Sequence, residues 1–314
     1  RLLLARMKKR NIAALLVVMP DGERAKGRAT KEMIETAMLR ARCDRKTLVV
    51  ALGGGVVGDM AGFVAATYMR GIRYVQVPTT MLAMVDSSIG GKTGIDTQEG
   101  KNTVGAFHQP EAVFTDPECL RSIPRETLAA GLVEAAKMFM TSDRASFGFL
   151  AKNLPRILRK DMRALEAVIR RAAIAKARVV SKDETETGPR MVLNFGHTVG
   201  HALEKLSHYR IPHGAAVALG ILVESRAAAM MGFLADKDRA KVDGMIAALD
   251  IGRAPLLRYS AKDILQAAQA DKKSAKGHPR YIVLTGIGKA LTKGGAYAHA
   301  IPEPVIARAL SDSR

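Results

Sequence analysis

Hydrophobic and polar positions alternate along the first third of the chain in two periods, one typical of strands and one typical of helices. Short β-branched and apolar runs predict strands at Leu15 to Met19, Leu48 to Leu52, Tyr74 to Val77 and Ala112 to Thr115. Helical periodicity predicts helices at Leu2 to Arg10, Thr30 to Arg42 and Asp59 to Tyr68. Strands that alternate with helices indicate a parallel α/β sheet.

After Pro124 the pattern is almost wholly helical. Amphipathic stretches predict helices at Arg125 to Met140, Met162 to Val180, His197 to Ser207, Ala215 to Met231 and Asp236 to Leu249. A late strand is predicted at Arg280 to Leu284. The chain therefore divides into an α/β domain of residues 1–122 and a mainly helical domain of residues 123–314, and we expect the active site in the cleft between them.

Composition excludes several classes of protein. The chain has 314 residues, of which 48% are hydrophobic, and it has no apolar run of membrane length. It has two cysteines, Cys43 and Cys119, which favours the cytoplasm over a disulfide-rich secreted fold. The net charge of +19 is spread along helices, and there is no tryptophan, which argues against nucleic acid and fits an anionic substrate.

A glycine cluster follows the second predicted strand. In the run from Leu48 to Asp59, apolar residues lead into Gly53-Gly-Gly and then into a helix. This layout is typical of a phosphate-binding turn, because glycines let the backbone approach a phosphate and the helix start supplies free amides. An ordinary strand-to-helix turn also uses glycine, so the cluster alone leaves both interpretations open. Polar, glycine-rich segments at Asp86 to Lys92 and Gly100 to Gly105 are expected at the carboxyl ends of the strands, where ligands collect.

Four of the seven histidines lie between residues 197 and 213. His197 and His201 are four residues apart and share one face of a helix. His213 follows a predicted chain reversal, and Glu134 occupies an apolar helical run where a hydrophobic residue is usual. Two histidines and a glutamate, with one coordination position of the metal left open, are a usual ligand set of catalytic zinc. Histidines at this spacing also occur as ordinary polar helix residues, so the spacing alone does not decide between a metal site and a polar helix face.

The chain resembles the 3-dehydroquinate synthases, of the sugar-phosphate cyclase family, over nearly its whole length. The matching motifs are Gly53-Gly-Gly-Val-Val-Gly-Asp59, Ala66-Thr-Tyr-Met-Arg-Gly71, Val77-Pro-Thr-Thr80, Val85-Asp-Ser-Ser-Ile-Gly-Gly-Lys-Thr93, Gly100-Lys-Asn102, Glu134 with Lys137, Asn194-Phe-Gly-His-Thr-Val-Gly-His201 and His213-Gly214. The resemblance implies an NAD-dependent homodimer with zinc or cobalt. Its substrate would be 3-deoxy-D-arabino-heptulosonate 7-phosphate, which loses phosphate and closes to a carbocycle without net redox change.

The resemblance also assigns roles to individual residues. The implied metal ligands are Glu134, His197 and His213. Proton handling and contacts to the reacting groups are implied for His201, Asp86, Lys137 and Lys176, and binding of the substrate carboxylate for Arg190. Substrate-phosphate contacts are implied for Lys92, Asn102, Asn194 and either Lys272 or Lys273, and for Arg70 across the dimer interface. Implied cofactor-binding residues are Glu23, Lys26, Gly54, Gly55, Val56, Asp59, Thr79, Thr80, Asp86, Lys92 and Lys101.

Two departures from the family pattern affect these expectations. The sequence begins at Arg1, and one β-α portion of the dinucleotide domain, about 30 residues, is expected to be missing. Where the family usually has glutamate after His213-Gly214, this chain has Ala215. Loss of a carboxylate behind His213 would weaken metal binding about 10- to 100-fold unless another group replaces it. Another sugar-phosphate cyclase, a metal-dependent polyol dehydrogenase and an inactive binding paralogue therefore remain alternatives.

Overall fold

The computed structural model describes residues 2–252, 254–269 and 279–313. The chain forms two compact units, one made of Arg1–Thr79 with Gly91–Asp116 and the other of Thr80–Gly90 with Pro117–Arg314. Within the described ranges, no helix is both long enough and apolar enough to cross a membrane. The functional division at residues 122 and 123 stays a prediction.

The first unit has an α/β architecture. Its helices and strands are α1 (Leu2–Lys9), α2 (Arg28–Arg40), β1 (Leu48–Gly53), α3 (Gly55–Thr67), β2 (Arg73–Pro78), β3 (Lys92–Thr97), β4 (Gly100–Phe107) and β5 (Ala112–Val113), with short 3₁₀ turns at Glu23–Ala25 and Tyr68–Arg70. Strands β1, β2 and β5 form a parallel sheet in the order β1-β2-β5. The register pairs Leu48 with Arg73 and Gly53 with Pro78, so the carboxyl ends of β1 and β2 lie side by side.

The core of the first unit lies around α3 and β2. Met60, Phe63 and Val64 of α3 are buried together with Tyr74 of β2. The helix also contains Gly58, where an added Cβ would stand 2.4 Å from the side-chain oxygen of Gln76. Because α3 packs so closely on the sheet, its first turn is held directly after the end of β1.

Two sequence predictions for this unit are wrong. Residues Leu15 to Met19 do not form a strand, and Leu15, Leu16 and Val18 are largely exposed. An apolar run becomes a strand only when its backbone finds a partner, and composition cannot supply one. The polar segment Gly100 to Gly105 was expected at the carboxyl end of a strand of the parallel sheet, but it belongs to β4, which pairs antiparallel with β3.

The second unit is mainly helical. Its elements are α4 (Arg125–Ser142), α5 (Arg144–Leu158), α6 (Met162–Val180), α7 (His197–Leu206), α8 (His213–Met230), α9 (Asp236–Ala248), α10 (Ala254–Arg258), α11 (Ala261–Gln269), β6 (Leu284–Gly286), β7 (Lys289–Ala290) and α12 (Glu303–Asp312), with short helical turns at Ala83–Ser87, Pro117–Ser122 and Pro189–Asn194. The predicted α/β fold with a mainly helical second part is therefore confirmed. The predicted late strand is largely wrong, because Arg280 to Val283 precede β6 and Tyr281 forms an isolated bridge with His299.

The core of the second unit surrounds α4 and α8. From Leu128 to Thr141 nearly every residue of α4 is buried, and α8 is buried over most of its length. A helix that is apolar on all sides belongs in a core, which explains why these two carry few charges. Glu134 and Lys137 of α4 and Glu224 of α8 are charged residues in these buried stretches, and they are therefore held away from water.

Candidate active site

Three helices of the second unit bring the predicted metal ligands together. Glu134 lies in the middle of α4, His197 is the first residue of α7, and His213 is the first residue of α8. Nε2 of His213 lies 3.6 Å from Oε1 of Glu134, and Nε2 of His197 lies 4.0 Å from the same oxygen. One donor atom from each of the three residues lies within 4.8 Å of the other two, so one cation can contact all three.

Two glycines allow these helices to approach closely. A Cβ added at Gly214, next to His213, would stand 2.0 Å from the carbonyl oxygen of Ala130 on α4. A Cβ added at Gly220 of α8 would stand 1.9 Å from the carbonyl oxygen of Gly196, directly before α7. Since a side chain at either position would push the backbones apart, the glycines fix α4, α7 and α8 around the three ligands.

The donor set fits a divalent cation of the zinc type. The side chain of Glu134 is fully buried, and neither of its oxygens has a hydrogen bond of good geometry among the described residues. The Lys137 ammonium, one turn further along α4, forms an ion pair with this carboxylate. Nδ1 of His197 lies 3.2 Å from the carbonyl oxygen of Phe195, which leaves Nε2 facing Glu134. A buried carboxylate with unmet acceptor capacity beside two imidazoles is the environment that a zinc ion satisfies.

Electrostatics agree with this geometry. Burial works to lower the pKa of His213, but the neighbouring carboxylates of Glu134 and Glu204 raise that pKa to about 9. Burial works to raise the pKa of Glu134, but Lys137 and His213 hold that pKa below its usual range. The site therefore carries buried negative charge that either a proton on His213 or a cation balances.

His201 lies beside the three ligands. Its ring centroid is 5.2 Å from that of His197 and 6.1 Å from that of His213. His201, Glu204 and His213 form a second group whose donor atoms lie within 4.8 Å of one another. The geometry thus places His201 beside the candidate ligands, and its role as a non-ligand stays a prediction.

Asp86 and Lys176 form an ion pair in the same unit, in which Lys176 is buried and Asp86 is partly buried. Nζ of Lys176 on α6 donates to Oδ1 of Asp86 at 2.6 Å and also contacts the Asp86 carbonyl oxygen. Burial works to raise the pKa of Asp86, but Lys176 and Lys137 hold that pKa far below its usual range. Burial, with Lys137 and Arg190 nearby, lowers the pKa of Lys176 although Asp86 opposes the shift. A lysine whose pKa is lowered gives up its proton more readily than an ordinary lysine does.

Arg190 is buried, and the backbone of its own unit holds its guanidinium. It donates to the carbonyl oxygen of Gly90 at 3.0 Å and to that of Glu184. Its Nε lies 3.9 Å from Glu186, whose carboxylate accepts a hydrogen bond from Asn194 at 2.6 Å. These bonds fix the planar guanidinium, as recognition of a carboxylate requires.

In the first unit, several predicted cofactor residues form one cluster. Nζ of Lys26 lies 2.6 Å from Oδ2 of Asp59 and 2.5 Å from Oδ1 of Asn102. Asn102, predicted as a substrate contact, is thus joined to the predicted cofactor residues. Lys101 and Glu23 lie 3.8 Å apart at the same end of the unit.

The predicted phosphate-binding turn has the expected local structure. Helix α3 begins at Gly55 with Gly54 as its N-cap, so the first amides of the helix, including that of Val56, follow directly from β1. The amide of Thr79, after β2, donates to the carbonyl oxygen of Gly53. Thr80 belongs to the second unit, where its hydroxyl accepts the amide of Ala83 at 3.3 Å.

The remaining predicted substrate residues lie on the surface of the first unit or outside the described residues. Lys92 is exposed at the start of β3. Arg70 is exposed at the end of a short turn and has a φ of +69°. Lys272 and Lys273 lie outside the residues that the structure describes.

Sequence reasoning missed two carboxylates of the second unit. Oε2 of Glu204 lies 3.2 Å from Nδ1 of His213, and Glu186 contacts Asn194. Glu204 stands three residues after His201 on α7, and that spacing would have placed it on the same helix face. Glu186 lies in an irregular loop, where no periodicity gives such a signal.

Comparisons with known proteins confirm the family resemblance of the sequence. A family model described as 3-dehydroquinate synthase N-terminal matches residues 16–130, and one described as 3-dehydroquinate synthase C-terminal matches residues 131–274. The 3-dehydroquinate synthase of Pelobacter propionicus is 43% identical over 274 residues, which cover 87% of this chain and 76% of that protein.

Solved structures of two cyclases are also similar. The first is ValA, a 2-epi-5-epi-valiolone synthase from Streptomyces hygroscopicus with NAD+ and Zn2+ bound, at 26% identity and a TM-score of 0.90 over 99% of this chain and 86% of that one. The second is a 2-deoxy-scyllo-inosose synthase complexed with carbaglucose-6-phosphate, NAD+ and Co2+, at 26% identity and a TM-score of 0.90 over 98% of this chain and 85% of that one.

Proposed function

Because the chain belongs to the 3-dehydroquinate synthase family, we propose that it converts 3-deoxy-D-arabino-heptulosonate 7-phosphate to 3-dehydroquinate and phosphate in the shikimate pathway. It is an enzyme of that type. The observation that carries the proposal is the convergence of Glu134, His197 and His213 on one point beside Lys137. A plain binding protein has no need of a buried glutamate between two imidazoles.

We assign the cofactors from the two similar cyclases and from this chain's own residues. The amides at Gly54, Gly55 and Val56 would hold the pyrophosphate of NAD, with Glu23, Lys26, Asp59, Thr79, Thr80, Asp86, Lys92 and Lys101 as further contacts. Glu134, His197 and His213 would hold zinc or cobalt. NAD supplies reversible hydride acceptance, and the cation supplies polarisation of the substrate oxygen that it binds.

The chain's residues then position the substrate and move protons. Arg190, held by the Gly90 and Glu184 carbonyls, is suited to bind the substrate carboxylate. The Lys176 ammonium, with its lowered pKa, is suited to donate a proton and take it back, and His201 to accept and return one, at the reacting hydroxyls. Asp86 holds the Lys176 ammonium, and Lys137 holds the Glu134 carboxylate ionised.

The phosphate of the substrate requires cationic and amide donors. Lys92, Asn102, Asn194 and one of Lys272 and Lys273 are proposed for this role, because charge-assisted hydrogen bonds to phosphate are strong. Arg70 is proposed to reach the phosphate bound by a second subunit, which makes the working unit a homodimer. We further propose that residues 1–122 bind the dinucleotide, that residues 123–314 bind the metal and the substrate, and that the enzyme works in the cytoplasm.

The test is a direct assay. Purified protein is incubated with the heptulosonate phosphate, NAD and zinc, and both inorganic phosphate and dehydroquinate are measured. We expect the two products in equal amounts without accumulation of NADH. Glu134→Gln is expected to abolish turnover, whereas Glu126→Gln, an exposed glutamate at the start of the same helix, is expected to leave it unchanged.

Other results would contradict the proposal. Oxidation of a simple polyol with stoichiometric NADH and no phosphate release would identify a polyol dehydrogenase. Turnover of a different sugar phosphate, with none of the heptulosonate phosphate, would identify another cyclase. Absence of turnover in a protein that binds zinc and NAD would identify an inactive paralogue.

A further inference from the structure

The imidazole of His213 lies between two carboxylates that come from different helices. Its Nε2 is 3.6 Å from Oε1 of Glu134 on α4, and its Nδ1 is 3.2 Å from Oε2 of Glu204 on α7. Glu134 is a proposed metal ligand. Glu204 is buried, and no role follows for it from the function proposed above.

We propose that Glu204 is a positioning residue of the metal centre, which accepts the Nδ1–H of His213 and so presents the Nε2 lone pair to the cation. This inference rests on the proposed metal centre and adds to it a residue that does not touch the metal. A neutral imidazole carries one N–H. A carboxylate at Nδ1 therefore selects the tautomer with the proton on Nδ1, in which the lone pair of Nε2 is free to bind the metal. The same bond fixes the rotation of the ring about its Cβ–Cγ bond.

The two histidine ligands are oriented by different kinds of oxygen. Behind His197 the acceptor is the backbone carbonyl of Phe195, at 3.2 Å from Nδ1. Behind His213 it is the side chain of Glu204. A side-chain substitution can therefore remove the support of His213 while that of His197 remains, which makes the proposal open to a clean test.

The neighbouring sequence explains why the carboxylate comes from another helix. Ala215, two residues after His213, has no group that could accept a hydrogen bond from the ring. Glu204 stands seven residues after His197, so both lie on the same face of α7. Helices α7 and α8 are held together at Gly220 and Gly196, which brings Glu204 within reach of His213.

A competing role for Glu204 is direct ligation. The donors of His201, Glu204 and His213 also lie within 4.8 Å of one another. A cation there would need Nδ1 of His213, whereas a cation at Glu134 and His197 needs Nε2. The two arrangements therefore predict different ligands and different spectra.

The experiment measures zinc affinity on metal-free protein by competition with a chelator of known affinity. Glu204→Ala is expected to bind zinc about 10- to 100-fold more weakly than wild type, still at full stoichiometry, because the three ligands remain. The zinc affinity of Glu204→Gln is expected to lie between those of wild type and Glu204→Ala, since an amide oxygen accepts the Nδ1–H without a negative charge. The exposed Glu166→Gln on α6 is the control and is expected to match wild type.

The absorption spectrum of the cobalt-loaded proteins provides a second readout. If Glu204 is a positioning residue, the band intensity and ligand count are kept in Glu204→Gln. Unchanged zinc affinity in Glu204→Ala would overturn the proposal. Loss of stoichiometric zinc, or a cobalt spectrum that reports one ligand fewer, would also overturn it and make Glu204 a ligand. If Glu204→Ala fails to fold by circular dichroism, the isosteric Glu204→Gln decides by the same two measurements.

Failure of this inference differs from failure of the proposed function. If wild-type protein takes up no stoichiometric zinc, the metal centre itself is wrong. If wild type binds zinc and the Glu204 variants bind it equally well, the metal centre stands and the positioning role falls.

Discussion

The carboxylate of Asp183 accepts the backbone amide of Arg190 at 3.0 Å. It also accepts the amides of Gly188 at 2.7 Å and of Thr187 at 3.1 Å. One side chain therefore folds the loop of residues 183–190 and sets the backbone position of Arg190, whose guanidinium is proposed to bind the substrate carboxylate.

This arrangement predicts a dependence of stability on pH. Burial works to raise the pKa of Asp183, but the three amides hold that pKa below its usual range. Because the folded pKa lies below the unfolded value of about 3.9, the stabilisation is fully present above the unfolded pKa and is lost as the pH falls through the folded pKa. We expect Asp183→Asn to lower the Tm at pH 7 by about 3 °C or more. In thermal unfolding scans from pH 7 downwards, this difference should shrink below about pH 4; a difference that stays constant down to the lowest pH would contradict the explanation.

The metal assignment predicts a distinction among the histidines. His197→Ala, His213→Ala and Glu134→Gln should each lose stoichiometric zinc, because three protein ligands are the usual minimum for a catalytic site. His201→Ala should keep zinc but lose turnover about 10²- to 10⁴-fold, as expected for a group that transfers protons. Elemental analysis after dialysis checks the first outcome and the phosphate-release assay the second. Zinc loss in His201→Ala would make His201 a ligand.

The ion pair of Asp86 and Lys176 predicts that substitutions of the two residues have non-additive effects on the free energy of unfolding. Lys176→Met leaves the Asp86 carboxylate largely buried without its main partner and should destabilise the protein by about 3 kcal/mol. The double variant Lys176→Met with Asp86→Asn should recover part of this loss, since the unpaired charge is gone. Denaturant unfolding of the wild type, both single variants and the double variant completes the cycle. Strict additivity would show that the pair does not contribute to stability. All three variants should be inactive.

Alanine is expected to have opposite effects on stability at two glycines. One is Gly214, where α8 approaches α4 closely, and the other is Gly244, where the added Cβ meets open space. Gly214→Ala forces a Cβ against the Ala130 carbonyl and should destabilise the protein by about 1 to 3 kcal/mol or more, with weaker zinc binding. Gly244→Ala, at an exposed position of α9 with no atom within 4 Å of the added Cβ, should stabilise the protein by about 0.5 to 1 kcal/mol. Thermal unfolding of both variants tests the pair. Equal effects would mean that the helix contact is looser than the structure indicates.

The proposed sharing of sites predicts complementation. Arg70→Ala and Asn102→Ala, each inactive alone, should regain up to about one quarter of wild-type activity when co-refolded, because random pairing makes half of the dimers mixed and each of these has one intact site. Activity is measured by phosphate release, with subunit exchange checked separately by a tag on one variant. If exchanged mixtures stay at the level of the single variants, each site is built within one chain.

The local periodicity of the sequence determined most of the regular elements. The predicted helix from Met162 to Val180 coincides with α6, and the apolar runs at Leu48 and Tyr74 became β1 and β2. These predictions succeeded because burial of one helix face, or of a whole strand, must be written into consecutive residues. The segment from Leu15 to Met19 failed because its backbone found no strand partner, which depends on the rest of the fold.

The sequence also named the three residues of the candidate metal site, because two of them lie close together along the chain and the third is a carboxylate in an apolar helix. Only the tertiary structure decided which charged groups pair with one another at and around the candidate metal site. Asp86 and Lys176 are 90 residues apart, and Glu204 reaches His213 from a different helix. The Glu204–His213 pair depends on α8 meeting the start of α7 at Gly220 and Gly196, where the fit of one backbone against another leaves no periodic signal in the sequence.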